Sequence, residues 1–184
     1  MKTNSLKDDL SRQVWCLMGL PIDAVSMSET VEKVDSAIRE RKKLFLTTPN
    51  LNFVIGCRND EAFRNSVIQS DLVIADGMPL IWMAKLMNIP IRERVSGSNL
   101  FEKLLERNGI GKKYRIFYFG GQDDVAKRAE EKTANLSSVA VGAGSISPGF
   151  VSTTEMSKAE YIRKINQSES DILIVALGAK KGQQ

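Results

Sequence analysis

The chain is 184 residues long, the size of one ordinary domain. It is 42% hydrophobic and 26% charged, a globular balance and not a disordered one. It has no histidine, which excludes a Ser-His-Asp triad, a His-ligated zinc and an imidazole base. Its two cysteines, Cys16 and Cys57, cannot build a four-thiolate metal site or a disulfide framework. They read as core thiols of a reducing compartment. Chemistry must therefore come from carboxylates, Lys, Arg, hydroxyls, amides and the backbone. The net charge of +4 suits an anionic ligand or membrane surface without implying nucleic acid. The basic clusters at Arg39–Lys43, at Lys112, Lys113 and Arg115, and at Lys180–Lys181 read as solvated helix ends or turns.

Residues Met1–Gln13 form a polar leader without the apolar stretch of a signal peptide. Every apolar run is far shorter than the ~20 residues that span a bilayer. A cytoplasmic protein, soluble or peripheral, is expected. Past the leader, Val14–Leu20 reads as a strand. Ser26 with Glu29 three residues on is a capping box, and Val31, Val34 and Ile38 at helical spacing predict a helix over Ser28–Arg41. Leu44–Thr48 reads as a strand. Leu51–Arg58 follows as a helix, and Asn59 caps another over Asp60–Gln69. The order then repeats. Leu72–Ala75 is strand-like, Met78–Met87 and Ser98–Asn108 are helical, and Arg115–Phe119 is a strand. Asp123–Leu136 is a helix, Val139–Val141 a strand, Thr154–Gln167 a helix and Ile172–Leu177 a strand. Short apolar strands alternating with amphipathic helices predict an α/β fold, Rossmann-like in the broad sense, with a mostly parallel sheet and helices on both faces. No linker divides residues 14–184, so one domain is expected.

The signal lies at the strand ends, because ligands of open α/β sheets bind beyond the carboxyl ends of the strands. Those ends read Thr47-Thr48-Pro49-Asn50, Asp76-Gly77, Gly120-Gly121-Gln122, Gly142-Ala143-Gly144 and Gly178-Ala179-Lys180. Taken together they predict one long crevice for an anion-bearing ligand, with backbone donors for phosphate at Gly120, Gly121, Gln122, Gly142 and Gly178. There is no Walker A pattern, Ser147 stands where G-x-G-x-x-G would need its third Gly, and no Asp-x-Asp pair occurs. A P-loop NTPase and a dinucleotide dehydrogenase are disfavoured, and the usual carboxylate clamp for a nucleotide-sugar metal is missing.

Asp76 follows the run Leu72–Ala75, so it sits at a strand end where a carboxylate can take a hydroxyl proton. Capping the helix that starts near Met78 is the equal alternative. Thr48 and Asn50 offer a hydroxyl and an amide to a sugar or phosphate, and Asn50 alone also reads as a cap. Arg94, in the loop before Gly97, can clamp a diphosphate or stand free at the surface. Trp82, Met83 and Leu86 sit on a helix and read as core.

Thr48-Pro49-Asn50, then Ser70 through Gly77, then Glu93-Arg94-Val95-Ser96-Gly97 resemble, in order and spacing, the WecG/TagA/CpsF glycosyltransferases. Phe119-Gly120-Gly121 and Asp171 through Gly178 resemble the same family's second half, and Gly19–Asp23 its N-terminal signature. The resemblance covers about Val14 to Gly178. It implies an inverting bacterial transferase that needs no metal or other cofactor. The enzyme would move N-acetylmannosamine, or a related sugar, from a UDP-sugar donor to a polyprenyl-diphosphate-linked acceptor. It would work peripherally at the inner face of the cell membrane, in cell-surface polysaccharide synthesis. It implies Asp76 as the base, with Thr48, Asn50 and Arg94 about the active site. The family's closing G-x-P-x-Q-E is altered here to Gly178-Ala179-Lys180-Lys181-Gly182-Gln183-Gln184. Gln183 answers to the family's Gln when one residue is slipped. Family members run on for some tens of residues, so a missing C-terminal tail is expected. A homo-oligomer is compatible with all of this. A nucleotide-binding module without catalysis is the other reading. An RNA-binding domain is weaker, because basic and aromatic residues do not interleave on a strand.

Overall fold

A computed structural model describes residues 12–106, 113–122, 124–136, 138–149 and 151–178. The structure is mixed α/β, with helices set between strands that pair mostly in parallel. It divides into two compact units, the first ending at Phe101 and the second beginning at Glu102.

The first unit opens with a hairpin. β1 (Val14–Leu17) pairs antiparallel with β2 (Leu20–Asp23), Trp15 opposite Ile22 and Leu17 opposite Leu20. The single strand expected over Val14–Leu20 is therefore two strands. Met18 and Gly19 form the turn at φ 54° and 86°, the two-residue geometry whose twist suits a hairpin. Methionine is uncommon at positive φ, so the apolar run carries no turn signal. Cys16 faces solvent, contrary to expectation, whereas Cys57 is buried and desolvation pushes its thiol pKa up.

Asp23 anchors this hairpin. Its buried carboxylate receives the Arg12 guanidinium fork, Nε and Nη2 each at 2.6 Å, and the Val73 backbone N–H at 2.7 Å. Arg12, within the expected leader, is thus part of the fold. α1 (Met27–Arg39) starts at the predicted capping box. The Glu29 N–H donates to Ser26 Oγ, and the Ser26 N–H donates back to Glu29 Oε2. β3 (Leu46–Thr47), α2 (Leu51–Asn59), α3 (Glu61–Ile68), β4 (Leu72–Val73), α4 (Met78–Leu86) and α5 (Gly97–Glu106) follow. α3 is capped by Asp60, which accepts from the Phe63 N–H at 3.0 Å, and not by Asn59, which ends α2. Phe53 and Phe63 meet across that corner with ring centroids 5.1 Å apart. Leu17, Leu20, Ile22, Phe63, Leu72 and Ile74 form the fully buried centre of this unit.

The second unit carries β5 (Tyr114–Gly120), β6 (Ala140–Ile146) and β7 (Ile172–Ala176) as a parallel sheet with β5 in the middle. Successive residues of a strand face opposite sides. The Tyr118 hydroxyl bonds Thr133 of α6 (Val125–Leu136), while the Phe119 ring meets Tyr161 of α8 (Ala159–Gln167) at 5.8 Å. Helices therefore cover both faces of this sheet. The helix expected over Thr154–Gln167 is broken into α7 (Thr153–Met156) and α8, because Lys158 adopts extended geometry at φ −58°, ψ 138°. Among the described residues the parallel strands fall into two sheets, β3-β4 and β6-β5-β7, instead of the single sheet expected.

Candidate active site

The carboxyl ends of β3 and β4 draw three stretches of chain together within the first unit. Leu46 pairs with Leu72 and Thr47 with Val73 in parallel register. The ladder continues past both strands, with the Ile74 N–H on the Thr47 carbonyl at 2.9 Å and the Asp76 N–H on the Pro49 carbonyl at 2.8 Å. On the other edge of the 72–76 stretch, the Val95 N–H donates to the Ala75 carbonyl at 2.9 Å. Residues 48–50, 76–77 and 94–97 therefore lie side by side.

Side-chain positions agree with the backbone. A Cβ placed on Gly77 would stand 3.7 Å from Asn50 Cβ, and one on Gly97 would stand 3.3 Å from Thr48 Cγ2. Thr48, Asn50 and Asp76 are each half-buried, and Arg94 is exposed in the loop that Val95 pins. The structure thus gathers Thr48, Asn50 and Asp76 at one strand end, with the Arg94 backbone beside them. Ser96, which the sequence did not single out, is buried in the same loop and caps α5, accepting from the Asn99 N–H at 3.2 Å. Its S-G-S-N context is the local signal for that role.

Asp76 does not cap α4. The N-cap is Gly77 at φ 144°, ψ 137°, with no side-chain cap bond, and Pro79 stands in the first turn. Only glycine occupies that backbone region readily. Among the described residues the Asp76 carboxylate has no hydrogen bond or ion pair. Asn50, by contrast, is a cap: its Oδ1 accepts from the Asn52 and Phe53 N–H groups at 3.0 and 3.3 Å. The constellation is a carboxylate, a hydroxyl and an amide at one strand end, with a guanidinium in the adjoining loop, the carboxylate having no side-chain partner among the described residues. Such a set can hold a polyol and accept the proton of one of its hydroxyls.

In the second unit, Gly120 closes β5, and the Gly121 N–H donates to the Ala176 carbonyl at 3.0 Å. That bond sets Gly120, Gly121 and the exposed Gln122 beside the end of β7, after which Gly178 turns at φ 79°. A Cβ on Gly120 would strike the Ala176 carbonyl, so close strand packing accounts for that glycine. The Ser147 hydroxyl, at the end of β6, donates to the Gly120 carbonyl at 3.4 Å and joins the group that the sequence reading missed. Gly142 does not. It lies inside β6 opposite Ile116, and a Cβ there would strike Glu130 of α6. β6 was expected to stop at Val141 but runs to Ile146, with a register shift beside Gly142 and Gly144. The expected strand-end turn at Gly142 is corrected to a site of helix-on-sheet contact. Gln183, Lys180 and Lys181 lie outside the described residues.

A cavity of about 240 Å³ opens elsewhere in the first unit, between Arg12, Lys33, Glu40, Lys43 and Asp71. It sits at the amino ends of β3 and β4, and its acids are already engaged. Glu40 binds Lys42 and Ser36, which hold its carboxyl below the usual range, and Asp71 accepts from the Phe45 N–H. Among the described residues no three His, Cys, Asp or Glu side chains cluster as a metal site. Among them also, no helix is long and apolar enough to cross a membrane.

The sequence profile of the Glycosyl transferase WecG/TagA/CpsF family matches residues 15–184. The chain is 24% identical over 139 residues to an N-acetylglucosaminyldiphosphoundecaprenol N-acetyl-beta-D-mannosaminyltransferase of Bacillus spizizenii, covering 76% of this chain and 52% of that one. It is 27% identical over 135 residues to the protein of the same name in Bacillus subtilis, covering 72% and 50%. A Staphylococcus aureus protein of that name is 22% identical over 116 residues, covering 62% and 45%. The chain spans about half the length of the curated relatives it matches.

Proposed function

The chain belongs to the WecG/TagA/CpsF glycosyl transferase family, and from that premise we propose that it transfers N-acetylmannosamine, or a related sugar, from UDP to a polyprenyl-diphosphate-linked N-acetylglucosamine. The acceptor and the sugar follow the names of the Bacillus and Staphylococcus relatives. The observation that carries the chemistry is the Asp76 carboxylate at the end of the 72–76 stretch, without a side-chain partner among the described residues and hydrogen-bonded through its backbone to Pro49. In this reading Asp76 takes the proton from the acceptor hydroxyl as its oxygen attacks the anomeric carbon. The new C–O bond forms as the bond to UDP breaks, the anomeric configuration inverts, and the UDP leaves as its anion.

Thr48 and the Asn50 Nδ2 group would orient sugar hydroxyls, and Arg94 would face diphosphate charge. Within the second unit, Gln122 and the turn at Gly178 would serve the nucleotide through backbone N–H groups, while the Gly121 N–H is already committed to the Ala176 carbonyl. Gly142 keeps the packing role that Glu130 of α6 gives it, and Gln183 is assigned a substrate contact on the resemblance alone. A Rossmann-like arrangement, a single transferase domain over 14–184, and peripheral action at the inner membrane face belong to the same proposal.

The test supplies a panel of UDP-sugars with a short-chain lipid-diphosphate acceptor and follows UDP release together with glycosylated product. UDP-N-acetylmannosamine is expected to turn over, and UDP binding is expected to survive EDTA. UDP affinity without product from any donor would replace the transferase by a nucleotide-binding module.

A further inference from the structure

Helix α4 is apolar on its exposed side as well as its buried one, apart from Lys85, and among the described residues only the buried side is covered. Leu80, Ile81 and Ala84 are buried. Met78, Trp82 and Leu86 are 44%, 63% and 84% exposed, which corrects the expectation that Trp82 and Leu86 are core. These three residues are spaced four apart, so they form one stripe along the helix. Lys85, the one charged residue of α4, is exposed three residues beyond Trp82 and so lies along the same stripe. β1 packs beside α4 and exposes Val14 and Trp15. Both tryptophans of the chain are thus at the surface, on neighbouring elements of the first unit.

A helix that is hydrophobic all round is normally covered by protein or by lipid. Trp and a basic side chain on one apolar stripe suit the boundary between headgroups and hydrocarbon. The charge points the same way: α4 holds one Lys and no acid, and the chain carries +4, so anionic headgroups complement it. A second copy of the chain fits less well, because a two-fold contact through the stripe would bring Lys85 towards its own image with no acid on α4 to pair it. The stripe also begins two residues after Asp76, so it starts where a lipid-borne hydroxyl has to arrive. We infer that the Met78–Trp82–Leu86 stripe of α4, with Trp15 of β1, seats the chain on the surface of an anionic bilayer. The choice of a lipid partner rests on the proposed transferase reaction, but the docking itself is measured without turnover.

The experiment sediments the full chain with phosphatidylcholine vesicles, with and without phosphatidylglycerol, and follows tryptophan emission. The wild type is expected to bind the phosphatidylglycerol vesicles with a blue shift. The double variant Trp82→Gln/Leu86→Gln should bind roughly tenfold or more weakly, from the loss of two large buried apolar side chains. Both positions are exposed, so its circular dichroism and melting should match the wild type. Lys85→Glu, an independent single change, should weaken binding to anionic vesicles and leave the fold intact. Equal vesicle binding by wild type and double variant would overturn the inference, and so would wild type that ignores anionic vesicles. A dimer lost in the double variant, with vesicle binding unchanged, would assign the stripe to a second copy instead. Asp76→Asn separates the two proposals, since it should bind vesicles like wild type whatever its turnover. Transfer to a water-soluble acceptor without any vesicle binding would remove the docking and leave the reaction standing.

Discussion

The backbone N–H of Asp76 donates to the carbonyl of Pro49 at 2.8 Å. One bond therefore aligns the ends of two strand stretches that are remote in sequence. It sets the half-buried Asp76 at the same strand end as Thr48 and Asn50, while Gly77 turns the chain into α4 and takes the N-cap position in place of Asp76.

Asp76→Asn tests whether this carboxylate works as a base. The side chain makes no structural bond among the described residues, so the fold and melting temperature should stay as in wild type. Transfer should fall by ~10²–10⁴-fold, the usual contribution of a positioned base. Comparing turnover and thermal melting on the same preparation checks both halves, and wild-type turnover would remove Asp76 from the chemistry.

Gly77→Ala probes the turn. Space is not the obstacle, since the nearest atoms to an added Cβ, Asn50 Cβ and Pro79 Cδ, are 3.7 Å away. The backbone is the obstacle, because φ 144° is strained for any residue with a side chain. Destabilisation of about 1–3 kcal/mol is expected, with loss of transfer as Asp76 shifts. Urea denaturation and an activity assay read the two effects, and an unchanged midpoint would show that the turn relaxes freely.

Arg12→Ala removes the fork from a carboxylate whose side chain is 1% exposed. Among the described residues, the Val73 N–H is then what remains to compensate the Asp23 charge. A buried pair broken from one side costs about 3–5 kcal/mol. Arg12 itself is 28% exposed, which places the expected loss near the lower end. The double change Arg12→Ala/Asp23→Asn should recover part of it, and urea melts of Arg12→Ala, Asp23→Asn and the double variant measure the coupling.

Acid should loosen both capping boxes. The Ser26 N–H, and then its hydroxyl, hold the Glu29 carboxyl below the usual range, and Ser152 does the same for Glu155. A carboxyl with a lowered folded pKa stabilises the fold above its unfolded pKa. That stabilisation is lost as pH falls through the folded value. The urea midpoint should therefore decline below about pH 4, near the ordinary glutamate value. Glu29→Gln, which can keep the box while uncharged, should flatten that decline and change little at neutral pH. A slope identical to wild type would count against the Glu29 contribution.

Local chemistry was legible in the amino-acid sequence, because its causes lie within a few residues. The Ser26–Glu29 box depends on a spacing of three, and Asn50 caps α2 through the next two or three amides. The apolar runs that became β3, β4, β5 and β7 were readable for the same reason, and with them the polar residues at their ends. Asp76 was visible as a carboxylate at a strand end. Only the tertiary structure decided that it is not a cap, because that depends on the backbone angle of Gly77 and on the pairing with Pro49. Register was equally out of reach. Gly142 resembles a turn residue until the ladder against Ile116 carries β6 past it and α6 occupies the space above. The Met18–Gly19 turn was hidden in an unbroken apolar run, and the Arg12–Asp23 pair closes over eleven residues. The α4 stripe shows the limit most plainly. Sequence can say that Trp82 and Leu86 are apolar, but burial is a property of what packs against them, and among the described residues these two side chains stay mostly exposed.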